Sequence, residues 1–126
     1  ITMHLAETHS TEYLLEDGVL ISRLKAGVKM TLDDVIENSE VRNTLPISFP
    51  LPFLMDIRRM KDITIHAIMA TSSQDDVPKF SAAAILIDKL EYQIIAREAS
   101  RAHSAPIPLK TFDDEEKALT WIRKYV

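Results

Sequence analysis

Two short stretches, Phe53 to Ile57 and Ala82 to Ile87, are almost wholly apolar. A run of that length bounded by charged residues reads as a strand buried on both faces. Such a strand needs covering layers above and below it. Between the two runs, Ile65, Ile68, Met69 and Ser72 fall on one helical face after Asp62, a capping residue. Strand, helix and strand in that order predict a parallel pair with a crossover helix. The expected fold is therefore α/β, with a mainly parallel, mixed sheet of about five strands covered by about four helices.

The other segments extend this alternation. Glu12 to Leu15 and Val19 to Leu24 are strand-like and flank Glu16-Asp17-Gly18. Asp-Gly suits a type I′ hairpin turn, in which both central residues take positive φ. Thr31, followed by Asp34, predicts a capped helix from Thr31 to about Arg42. A third helix is expected over Leu90 to Ser100, with Tyr92, Ile95, Ala96 and Ala99 on its core face. Ile107 to Phe112 reads as a last strand, with Pro108 at its start or on an edge. Asp113 to Glu116 opens a final helix and Arg123-Lys124 closes it, both in keeping with the helix dipole. Ala118, Leu119, Ile122 and Tyr125 form its core face, with Trp121 beside them. Residues 1–10 read as an irregular N-terminal lead-in or tail, and 11–126 as one domain. With only two glycines and six prolines there is no flexible linker.

Bulk properties exclude several classes of function. The absence of cysteine rules out disulfides, thiolate catalysis and zinc–cysteine sites, and fits a reducing compartment such as the cytoplasm. A net charge of −4 gives no general basic surface for a polyanion, so no nucleic-acid partner is expected. No apolar run approaches the roughly 20 residues of a transmembrane helix. Ile1 to Ser10 lacks the pattern of a secretory signal. There is no P-loop, dinucleotide fingerprint or nucleophile elbow.

Two segments carry a family resemblance. Phe53-Leu54-Met55-Asp56-Ile57-Arg58, a helix, and then Ala82-Ala83-Ala84-Ile85-Leu86-Ile87-Asp88 resemble the central strand–helix–strand of STAS/SpoIIAA-like domains. The ending Lys110-Thr111-Phe112-Asp113-Asp114-Glu115-Glu116-Lys117-Ala118-Leu119-Thr120-Trp121-Ile122 resembles the tail common in bacterial SpoIIAA-like proteins. The resemblance spans about residues 12–126 and consists of core patterns more than chemical signatures. It implies a SpoIIAA-like fold and a protein-interaction or regulatory role. Anti-sigma-factor antagonists of this family are phosphorylated on the serine of an Asp-Ser pair after the central strand. The matching stretch here is Lys61-Asp62-Ile63-Thr64-Ile65-His66, which has no such pair. Thr64 is the nearest hydroxyl and so the candidate phosphoacceptor. Other SpoIIAA-like proteins resemble lipid-binding carriers.

In an open parallel sheet, ligands gather at the carboxyl ends of the strands. Arg58, Arg59 and Lys61 follow one predicted strand, and Asp88 and Lys89 follow the next. With Thr64 and His66 they are the candidate ligand- or partner-binding residues, suited to an anion or an acidic partner. Solvated loop charge is the ordinary alternative. His103-Ser104 has no carboxylate at motif spacing, and His4 and His9 fall in the expected tail without an evident ligand set. No catalytic residue, cofactor or metal site is assigned. The leading expectation is a non-enzymatic interaction or regulatory module. The alternative is a carrier or sensor for a lipid or another small apolar or anionic ligand, with an apolar cavity near Leu90 and Ile94. An enzyme would need His66 or His103 to meet a carboxylate or hydroxyl. The partner is a protein or small molecule of unknown identity, and homodimer formation is plausible by the commonness of two-fold association.

Overall fold

Asp17 and Gly18 take φ values of 50° and 84°, and Glu16 pairs with Val19 across them. This is the expected two-residue hairpin turn. It joins β2 (Thr11–Glu16) to β3 (Val19–Leu24) in an antiparallel pair. The computed structural model describes residues 1–64, 66–67, 80–94 and 107–126. The later turns of the second predicted helix, residues 95–100 of the third, and His103-Ser104 lie outside the described residues.

The main sheet has six strands in the order β1-β2-β3-β5-β7-β8. Here β1 is Thr2–Glu7, β5 Leu51–Asp56, β7 Phe80–Leu86 and β8 Leu109–Phe112. The pairings β3–β5, β5–β7 and β7–β8 are parallel, while β1–β2 and β2–β3 are antiparallel. The α/β class and the mixed, mainly parallel character are thus as expected, with one more strand than the sequence suggested. A two-stranded parallel sheet of β4 (Lys29–Met30) and β6 (Asp62–Ile63) lies apart from it.

Two local expectations are corrected. Residues 2–7 of the expected tail form β1, paired with β2 along its length. This edge strand is mostly exposed, and only Leu5 and Ala6 pack into a core cluster, so it carries little hydrophobic alternation. Asp62 lies in β6 rather than capping a helix. The hydroxyl of Thr64 instead accepts a hydrogen bond from the Ala67 amide at 3.2 Å.

Both faces of the central strands are buried. Val19, Ile21, Leu54, Ala82, Ala84 and Leu86 face α2 (Glu115–Ile122), which inserts Ala118 and Ile122. Asp114 caps α2 by accepting from the Lys117 amide at 3.0 Å, and Glu115 and Glu116 occupy its first turn. On the other face, Leu20, Phe53 and Phe80 pack with Tyr13, Leu45 and Leu51. The Phe53 and Phe80 rings stack with centroids 4.5 Å apart. A register shift between β5 and β7 separates the Leu51–Phe80 pair from Phe53–Ala83. It turns Phe80 to the face opposite Ala82.

The helix α1 (Leu32–Thr44) has the reciprocal capping box anticipated from Thr31 and Asp34. Polar contacts dominate its seat. Asn38 is buried; its side-chain amide donates to the hydroxyls of Ser10 and Thr11 and accepts from that of Thr8 at 2.6 Å. Every one of these polar groups is thereby partnered, which is the condition for burying them.

A Cβ built on Gly18 would approach Cγ1 of Val126 to 2.8 Å. Val126 is 69% exposed and able to give way, so the positive φ dominates the cost. Gly18→Ala is expected to destabilise the fold by about 1–2 kcal/mol. Urea unfolding measures this, and an unchanged midpoint would contradict the turn geometry.

Candidate functional site

The chain leaves β3 and β5 on the same side of the sheet, because the two strands are parallel. The loops that follow are tied together: the Gly27 amide donates to the Arg59 carbonyl at 3.0 Å, and the Lys61 amide to the Val28 carbonyl at 2.8 Å. Between these loops, the N-terminus of α2 and the β1–β2 edge lies a cleft of about 490 Å³. Its charged lining comprises Arg23, Lys25, Arg58 and Arg59 against Glu7, Glu12, Asp56 and Glu115.

Asp56 organises the floor. Arg58 grips it in a fork, Nε to Oδ1 and Nη2 to Oδ2, each at 3.0 Å, and the Arg58 amide adds a bond of 3.1 Å to Oδ1. Arg23 Nη1 reaches Oδ2 at 2.7 Å. Glu115, from the first turn of α2, accepts from Arg23 Nη1 at 2.7 Å and from Arg58 Nη2 at 3.1 Å. Burial pushes the Asp56 carboxyl toward higher pKa, but the hydrogen bonds and charges of Arg58 and Arg23 outweigh it and hold the group below its ordinary value. Among the described residues Arg59 has no ion-pair partner; its exposed guanidinium is free to meet a ligand.

Of the residues singled out from the sequence, Arg58 and Arg59 line this cleft and Lys61, Thr64, His66 and Lys89 do not. Lys61 is exposed beside it, and its carbonyl accepts from the Tyr92 hydroxyl at 3.2 Å. Thr64 is half-buried and uses its hydroxyl oxygen as a helix cap. His66 is exposed. The ammonium of Lys89 lies over the Tyr92 ring, 5.4 Å from its centroid. Leu90 and Ile94 are exposed, in a helical segment covering residues 90–94.

Arg23, Asp56 and Glu115 escaped the sequence reading. Arg23 and Glu115 are 92 positions apart, and no local spacing links them. His9 was likewise misplaced: its Nδ1 lies 2.9 Å from Asp34 Oδ1, and its amide donates to Glu37 at 2.9 Å. Among the described residues this histidine–carboxylate pair has no free nucleophile beside it. The neighbouring Ser10 hydroxyl is fully buried and engaged with Thr11 and Asn38. Asp34 also accepts from the Thr31 amide and hydroxyl, so the pair fastens the β1–β2 turn to α1.

Asp56→Asn removes the anion that two partly exposed arginines share. A loss of about 2–3 kcal/mol is expected at neutral pH. Because the folded-state pKa is depressed, the stabilisation is complete above the unfolded value, about 4, and fades as pH falls through the folded one. The gap between wild type and variant should therefore narrow below about pH 4 in urea titrations. A gap that stays constant to acid pH would show that the charge of Asp56 contributes nothing.

Among solved structures, an uncharacterised protein of the DUF3478 family from Shewanella loihica PV-4, described as having a SpoIIAA-like fold, superposes with a TM-score of 0.59. The match covers 96% of this chain and 93% of that one at 19% identity, a likeness of fold. No curated protein matches the chain. The fold is thus SpoIIAA-like, as the strand–helix–strand and the tail implied. A family model described as a domain of unknown function, DUF7793, matches residues 13–126, and the chain belongs to that family.

Proposed function

We propose that this chain is a non-enzymatic regulatory module of the SpoIIAA-like kind that works by binding an acidic partner protein at the carboxyl edge of β3 and β5. The observation that carries this reading is the free guanidinium of Arg59 on the rim of a cleft whose other arginines are already paired. Arg23 and Arg58 have their charges matched by Asp56 and Glu115, so they form a fixed polar floor. Arg59 is the group left to receive a carboxylate or phosphate, which its planar fork suits.

A second reading, a sensor for a small anion, is favoured by the cleft's volume of about 490 Å³. Small-molecule sites fall in the range of about 300–1,000 Å³. The charged lining argues for a polar rather than an apolar occupant of this cleft, and the unpaired Arg59 for an anionic group on it. Among its described lining residues only Leu24 and Ala26 are apolar.

The test is amide chemical-shift titration of the isotope-labelled protein with inorganic phosphate, citrate and a polyglutamate peptide. The acidic peptide is expected to shift the amides of Lys25, Arg58 and Arg59 saturably and to bind more tightly than the small anions. Arg59→Glu should weaken that binding by about 10- to 100-fold, the equivalent of one charge-assisted hydrogen bond. Tighter binding of citrate or phosphate would favour the sensor. Shifts away from the cleft, or indifference to Arg59→Glu, would sink both readings.

A further inference from the structure

The cleft's outer rim contains a second arrangement, on the β1–β2 hairpin. Glu7 and Glu12 are direct cross-strand partners. Like charges so placed repel unless a cation lies between them. His4 joins them: its Nε2 lies 3.6 Å from Glu7 Oε1 and 3.5 Å from Glu12 Oε2. His4 and Glu7 are three positions apart, and in a regular strand such residues point to opposite faces. The register shift between His4 and Ala6 inserts an extra residue and brings both side chains to the face of Glu12. Bulges of this kind re-aim side chains beside functional sites.

We propose that His4, Glu7 and Glu12 form a binding site for a divalent transition-metal ion of the zinc type. Zinc bonds of about 2.0–2.2 Å set tetrahedral ligand atoms about 3.3–3.6 Å apart. Both distances from His4 match that spacing. All three ligand atoms lie within 4.8 Å of one another, so a small rotation of one carboxylate completes the triangle. One imidazole nitrogen with two carboxylate oxygens suits zinc better than calcium or magnesium, which favour all-oxygen shells. Lys25 Nζ holds the other Glu7 oxygen, Oε2, at 3.3 Å and donates to the Thr8 carbonyl at 2.8 Å. It thus orients Glu7 from outside the ligand set while leaving Oε1 free. The three side chains are between 37% and 52% exposed, which leaves an ion an open path and a coordination position for water or a ligand atom.

This site rests on β1 and β2 and does not depend on the anion reading. It is tested with the metal alone. Calorimetric titration of the whole chain with Zn²⁺ is expected to show saturable binding of one ion, with Mg²⁺ giving none at the same concentration. Even an outer-shell partner is worth about 10–100-fold in metal affinity, so His4→Gln and Glu12→Gln should each cost at least about tenfold. His9→Gln, outside the set, should leave the affinity unchanged. Circular dichroism confirms that each variant is folded, and on the wild-type protein the imidazole nitrogen resonances of His4 should move on zinc addition. No saturable heat, binding indifferent to His4→Gln and Glu12→Gln, or an unmoved His4 resonance would overturn the site.

Discussion

Asp56 ends the central strand with only 5% of its surface exposed, and a carboxylate in that position needs compensating partners. Arg23 reaches it from the neighbouring strand and Arg58 from the residues just beyond it. Both arginines then share Glu115 at the start of α2. One buried charge therefore ties together two strands and a helix that lie far apart in the chain. The fully apolar packing of Ala118 and Ile122 holds α2 to the sheet, while the ionic cluster determines where its first turn sits. Hydrophobic burial is non-directional, and directed charge-assisted bonds supply the missing specificity.

The helices α1 and α2 meet the sheet by different physics. α2 presents an apolar stripe, and its polar attachments are its cap and the Glu115 pairs in its first turn. α1 has a weakly apolar face, with Asp34 and Asn38 among its buried residues. It is seated through Thr8, His9 and Ser10 of the turn joining β1 to β2, and through Thr11 at the start of β2. The antiparallel half of the sheet and α1 are in this way mutually dependent, as are the parallel half and α2.

The carboxyl edge combines the consequences of both halves. Parallel strands deliver Arg23, Arg58 and Arg59 to one side, and the antiparallel hairpin leans Glu7 and Glu12 over them. Charges of both signs stand around one cleft, but most are matched locally. Arg59 keeps a free guanidinium, and Glu7 and Glu12 face each other beside an imidazole; these two features carry the functional proposals.

Much of the fold was legible in the chain because its signals are local. The Asp17-Gly18 turn, the Thr31–Asp34 box, the doubly buried run of β5 and the stripe of α2 each depend on neighbours a few positions away. Arg58 and Arg59 were also readable, since a basic segment after a buried strand must lie at its carboxyl end. β1 was not, because an edge strand packed on so few residues shows no period and owes its form to pairing with β2. Nor were the roles of Arg23, Asp56, Glu115 and His4. By itself the sequence determined which segments become strands and helices, since backbone preference and apolar spacing act over short range. Only the tertiary structure decided which charges meet, because strand register, a bulge and a crossover bring together residues that no local spacing relates.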